Sequence, residues 1–294
     1  MIENTLLWAI SLIGETQLKT LAALLDRERA ATQAKAYGEF TAGPALDAVQ
    51  AGLPITIRDN VAIIPVSGIM LKSYPWPSNY VSSTAHVRAA VRAARLDASI
   101  DHIVIVSDTP GGDVRGMHEL TDEVAAAAQE KNVIVQIQGI LASAGYHFAA
   151  QANSIYASHR MNRVGSIGVR TVLWDSTEMY EKAGIKVIKI DTGEHKSTGL
   201  EGVPVTEEQQ AEVQRTVDLL YAEFLRVIEV GRGISKEALK PLADGREWFA
   251  EDALKHNLID AIQPLDTTLS ALSKPHKSRL SHTAVAEMFS EFTA

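Results

Sequence analysis

No cysteine occurs among the 294 residues, which excludes disulfides, thiolate metal sites and a cysteine nucleophile. Basic residues are the minority charge, 28 against 36 acidic ones, for a net charge of −8. That balance argues against nucleic acid or an anionic membrane as a partner. No membrane span is expected, because the apolar run LLWAISLIG near the N-terminus is too short to cross a bilayer as a helix. Glu3 precedes it where a secretory leader carries basic residues, so the expectation is a cytoplasmic protein. There is no HExxH or comparable ligand spacing, no Walker A segment and no dinucleotide fingerprint. Neither a metal nor any other cofactor is therefore expected.

What is present is an ordinary globular composition, 46% hydrophobic and 22% charged, in a chain long enough to bury a substantial core. Three regions are expected: a helical, Ala-rich N-terminal extension and linker over 1–55, a principal domain over 56–266, and a polar tail over 267–294. From Val61 the pattern alternates. VAIIPVSGIM, HIVIVSD, VIVQIQ, SIYAS, GVRTVLW and KVIKI read as strands, while TAHVRAAVRAARLD, GMHELTDEVAAAAQEK and STEMYEKAG between them read as helices. Such alternation predicts an α/β fold with largely parallel strands. Thr206 opens a capping-box pattern, TEEQ, ahead of a long helix that should stop at the glycines of VGRG.

Open parallel sheets place their sites at strand ends, and three such loops carry chemistry. After HIVIVSD comes TPGG, whose glycines let backbone amides approach a ligand, or make only a tight turn. After VIVQIQ comes LASAGYHF, in which Ser143 sits at a strand-to-helix corner among Ala142, Ala144 and Gly145. It is either a helix N-cap or a nucleophile with a nearby amide for an oxyanion. A nucleophile needs a base. His147 lies four residues after Ser143 on the same helix face and would point along the helix, His118, His159 and His195 carry no partner signature, and Lys196 follows KVIKI in a Gly-flanked loop and would serve if burial held it neutral.

In order and spacing, PVSGIM, VSDTPGGDVRG, LASAGYHFAAQANSIYAS, NRVGSIGV, KVIKIDTGEHKS and DGREWFAEDALKHNLID resemble the signal peptide peptidase A (protease IV) family and its relatives in tailed phages. The resemblance runs from about Val61 to Pro264. It implies a Clp protease/crotonase-like spiral of ββα units and a serine peptidase working through a Ser/Lys dyad. Residue by residue, Ser143 takes the place of the nucleophile, Lys196 of its base and Ser166 of the group that orients the lysine. Gly112 and Ala144 take the place of oxyanion donors, with Gly111 shaping the turn. Asp108 and Thr109 depart from the family's common Asn-Ser, and SAGY from the commoner SGGY. The Clp protease variant of the fold uses a histidine from a stretch that here reads NRVGSIGV and contains none, which favours lysine.

The resemblance further implies a protein or peptide substrate and a ring-like homo-oligomer with enclosed active sites. A helical extension without a membrane anchor fits a phage head-maturation protease acting on capsid or scaffold proteins; a bacterial housekeeping peptidase is the alternative. Two readings of other classes compete. A crotonase-type acyl-CoA enzyme would use similar paired glycine amides but would not need both Ser143 and Lys196. A noncatalytic capsid-assembly protein would not need to retain Ser143, Lys196 and Ser166 together.

Overall fold

The apolar runs form strands buried on both faces, which is why they read as nearly continuous rather than alternating. The computed structural model describes residues 44–50, 52–74 and 80–273. The N-terminal extension expected over 1–55 lies mostly outside the described residues, as does the tail beyond 273. In chain order the elements begin with α1 (Pro44–Gln50), β1 (Thr56–Arg58), β2 (Val61–Ser67), β3 (Ile69–Leu71), β4 (Val81–Ser83), α2 (Thr84–Leu96) and β5 (His102–Thr109). They continue with α3 (Met117–Glu130), β6 (Asn132–Ala142), α4 (Ala144–Ala149), β7 (Ser154–Ala157) and β8 (Arg163–Gly165). Last come α5 (Thr177–Lys182), α6 (Glu207–Arg232), α7 (Lys236–Leu239), β9 (Glu247–Phe249), α8 (Ala250–Lys255), β10 (Ala261–Ile262) and α9 (Leu265–Leu272).

The main sheet runs β1-β2-β5-β6-β7-β10, with every neighbour parallel except the β1–β2 hairpin. Each long strand is followed by a short extended stretch and then a helix. The short stretches stack on one another: Met70 bridges to Gly112, Thr109 faces Leu141, and Leu141 faces Val164. This second layer of short strands makes the chain the spiral of ββα units of a Clp protease/crotonase-like fold. Ala62, Ile64 and Val66 of β2 face the main core, where α2, α3 and α4 pack. Val61 and Ile63 face the other side and pack with Val104 and Leu269, so α9 crosses the boundary expected at residue 266.

The decisive local feature is in β6. Its first half pairs with β7, from Ile134 to Ile137, and its last three residues, Ile140 to Ala142, pair with β8. The register against β5 shifts between Ser107 and Thr109, leaving extra residues on the β6 side. Asp108 fills the irregularity, its carboxylate accepting the Ile140 N–H at 3.0 Å. Such bulges re-aim a strand. Here the consequence is that Ser143, the next residue after β6, is turned out of the sheet.

Two expected strands are not strands. GVRTVLW and KVIKI lie in the irregular stretch around α5, without ladder partners. Their apolar side chains are exposed instead: Trp174 by 78%, Ile188 by 74% and Ile190 by 95%. Strand propensity is satisfied only when a neighbour supplies the ladder hydrogen bonds, and among the described residues no strand lies beside them.

Candidate active site

Ser143 occupies the corner between β6 and α4 with φ 50° and ψ −121°, a region that a residue with a Cβ rarely enters. Its N–H donates to the Gly165 carbonyl at 2.8 Å, and its own carbonyl accepts the His147 N–H at 3.0 Å. The side chain makes no capping bond to α4. The N-cap role open from the sequence is therefore unfilled, and the hydroxyl is left to the cavity it faces.

That cavity, about 650 Å³, is lined by Ser143, Ala144, Ser166, Gly111 and Gly112 together. Five of the six residues singled out from the sequence thus meet at one place. Gly111 has φ 95°, and a Cβ there would stand 2.7 Å from the Ser143 Cβ and 2.8 Å from the Ala144 nitrogen. Only glycine lets the turn come so close. Thr109, fully buried, anchors that turn by donating to the Gly68 carbonyl at 2.6 Å and accepting the Gly111 N–H at 3.1 Å. This accounts for its place beside the glycines. Neither the Gly112 nor the Ala144 N–H has an acceptor among the described residues, so both are available to a ligand.

Ser166 directly follows the residue whose carbonyl holds Ser143, and its φ of 49° is a second strained backbone in the same cavity. Its N–H donates to the Arg246 carbonyl at 2.8 Å. Two non-glycine residues at positive φ in one cavity is strain concentrated where a site would use it.

Lys196 is elsewhere. It is exposed on the loop after KVIKI and does not line the cavity, so the burial expected to hold it neutral is not supplied by the described residues of its own chain. The loop is tied to the start of α6, where the Thr206–Gln209 capping box forms as expected and Gln209 also donates to the Glu194 carbonyl at 2.6 Å. From Gln209 to Phe224 the helix spans about 22 Å at ~1.5 Å per residue. Phe224 is the α6 residue that touches His147, beside the nucleophile. The lysine loop is thus tied to the first turn of α6, while Phe224 beside His147 stands on a later turn of the same helix.

The structure adds cavity residues that spacing did not reveal. Leu220 and Phe224 come from α6, Met117 and His118 from α3, and Glu247 from β9. Apolar positions on an amphipathic helix carry no sign of which cavity they will wall. His147 is 5% exposed, its Nδ1 within 2.7 Å of the Thr121 hydroxyl, and burial, aided by the neighbouring His118, lowers its pKa to about 4.

Residues 125–279, just over half of the chain, match the family described as Peptidase family S49. The chain belongs to peptidase family S49. Among curated proteins, this S49 chain is 32% identical over 178 residues to a Methanocaldococcus jannaschii protein assigned as a protease, covering 60% of this chain and 57% of that one. It is 27% identical to Protease 4 of Salmonella typhi (78% of this chain, 37% of that one) and 26% identical to Capsid assembly protease C of Escherichia phage lambda (76% and 52%). The S49 chain thus spans between about a third and just over half of these relatives' lengths. A crystal structure of an enoyl-CoA hydratase/isomerase family member superposes with a TM-score of 0.43 at 12% identity, covering 74% of this chain and 73% of that one. Among the described residues no helix is long and apolar enough to cross a membrane.

Proposed function

We propose that this chain is a serine endopeptidase with Ser143 as nucleophile and Lys196 as general base. The observation that carries the reading is the uncapped, strained Ser143 flanked by the two unpaired amides of Gly112 and Ala144. The Ser143 Oγ attacks a peptide carbonyl and passes its proton to the neutral Lys196 amine. The oxygen that becomes negative is held by the Gly112 and Ala144 N–H groups, donors already in position before charge develops. Collapse breaks the C–N bond, and the lysine ammonium gives its proton to the departing amine. Water, deprotonated by the same lysine, then attacks the Ser143 ester; the acyl–oxygen bond breaks and the lysine ammonium returns the proton to the serine oxygen. Ser166 accepts from the lysine amine and aims its lone pair.

Because Lys196 is exposed and does not line the Ser143 cavity of its own chain, it reaches the site from a neighbouring copy in a ring-like homo-oligomer. The exposed apolar side chains of Ile188 and Ile190, directly before that loop in sequence, and of Trp174, before α5, support burial against another subunit. The catalytic domain spans 56–266, with an N-terminal extension and a C-terminal tail that do no chemistry. The similarity to a capsid assembly protease favours processing of capsid or scaffold proteins, in the cytoplasm or inside an assembling head; the similarity to Protease 4 favours a bacterial housekeeping role as the second reading.

The test is mass spectrometry of neighbouring proteins co-expressed with the parent chain or with Ser143→Ala. Loss of a nucleophile that acts as part of a catalytic unit costs on the order of a millionfold in turnover. New peptide termini should appear only with the parent. Equal cleavage by pure Ser143→Ala would overturn the mechanism, and a folded parent that cleaves nothing would favour the noncatalytic assembly role.

A further inference from the structure

One wall of the Ser143 cavity combines apolar side chains with a buried imidazole, one nitrogen of which has no partner among the described residues. His147 lines the cavity one helical turn after the nucleophile, and its N–H bond to the Ser143 carbonyl fixes their relation. The Thr121 hydroxyl holds Nδ1 at 2.7 Å, while Nε2 has no partner among the described residues. The ring cannot turn to find one. His118 meets it edge-on with centroids 5.2 Å apart, and Phe224 leans on it at 5.0 Å. Leu220 and Met117 line the cavity alongside.

We propose that this end of the cavity selects a neutral, hydrogen-bonding side chain on the residue whose carbonyl Ser143 attacks, with His147 Nε2 as the atom that reads it. The inference rests on the peptidase reading and deepens it. Burial keeps the imidazole neutral at working pH, so it presents one N–H or one lone pair at Nε2, and the Thr121 hydroxyl can complement either tautomer. A hydroxyl or carboxamide on the substrate can therefore pair with it. An aliphatic side chain would instead expel water from Nε2 and leave that atom unpaired in an apolar pocket, which costs a factor of roughly ten to a hundred. A charged side chain would lose its hydration against Phe224, Leu220 and Met117. Of the titratable groups acting on the imidazole, His118 lies edge-on beside it, and Glu223 and Arg226 are paired with each other on α6.

The experiment uses the full chain and peptide pairs matched in shape but not in polarity at the attacked residue, Asn against Leu and Thr against Val. The parent should show kcat/KM ratios of roughly tenfold or more in favour of Asn and Thr. His147→Leu should level or reverse the ratio, and Thr121→Val should shrink it by loosening the imidazole. Because each ratio is internal to one variant, a general loss of activity leaves it readable, and Thr121→Val serves if His147→Leu does not fold. Ser143-dependent cleavage with Leu and Val processed as well as Asn and Thr overturns this inference alone, as does a parental ratio in both variants. Cleavage that persists in Ser143→Ala, or none by the folded parent, overturns the peptidase reading itself.

Discussion

Ser143 and Ser166 both hold positive φ without being glycine, and each such residue costs on the order of 1–3 kcal/mol that the surrounding structure must offset. For Ser166 the return is position. Its backbone is pinned by Arg246 so that the hydroxyl faces the same cavity as the nucleophile. Ser166→Ala should lower kcat by roughly ten- to a hundredfold with little change in KM, as expected when a base loses its aim rather than the substrate its contacts. Steady-state kinetics with full parental kcat in that variant would reduce Ser166 to a loop residue. His147 makes a separate prediction about pH. Its folded-state pKa is lowered from 6.5 to about 4. As pH falls through that window the unfolded chain takes up a proton that the folded chain refuses, so stability present above about pH 6.5 drains away towards pH 4. The loss attributable to this residue is at most roughly 3 kcal/mol. His147→Leu should flatten the dependence of urea-unfolding free energy on pH between 7 and 4, and an unchanged slope would contradict the burial argument.

At the scale of elements, α6 ties the two halves of the proposed machinery together. Its first turn holds the lysine loop through Gln209, its middle walls the cavity with Leu220 and Phe224, and its last turn lies against the end of α4. Gly231 makes that last contact. A Cβ there would overlap the Ala150 carbonyl oxygen and crowd the Gln151 amide. Alanine in a helix normally gains about 1 kcal/mol over glycine, but overpacking against backbone costs about 1–3 kcal/mol and should win. Gly231→Ala should therefore destabilise the fold in urea unfolding and raise KM, because α6 moves away and carries Leu220 and Phe224 with it. A stabilised variant with unchanged KM would show that this end of the helix is free to shift. The β6 bulge works at the same scale: one carboxylate, Asp108, accepts the amide that the register shift frees.

For the whole molecule the question is where Lys196 finds Ser143. If each active site joins the serine of one copy to the lysine of the next, Ser143→Ala and Lys196→Ala should each be inactive alone and should complement each other after subunit exchange. Random mixing at equal amounts in a head-to-tail ring restores the working pair at about a quarter of the interfaces. No recovery in rings shown to exchange subunits would place the dyad within one chain. Ile188→Glu puts a charge on a side chain that is 74% exposed here and buried in the proposed ring. It should leave the fold intact and abolish both assembly, followed by sedimentation, and peptide cleavage.

Much of this protein is written locally. The order of strands and helices, the Thr206 capping box, the Ser143 corner and the glycines of TPGG can be read from the sequence because each depends on side-chain periodicity or backbone preferences over a few residues. Tertiary structure decided what depends on distant partners. It filled the β6 bulge with Asp108 and brought Leu220 and Phe224 of α6 to the cavity. It also left Nε2 of His147 without a partner among the described residues and Lys196 exposed outside the cavity. GVRTVLW and KVIKI show the division most plainly. Their residues favour strands, but a strand exists only where another supplies its hydrogen bonds, and that neighbour is not encoded in the segment itself.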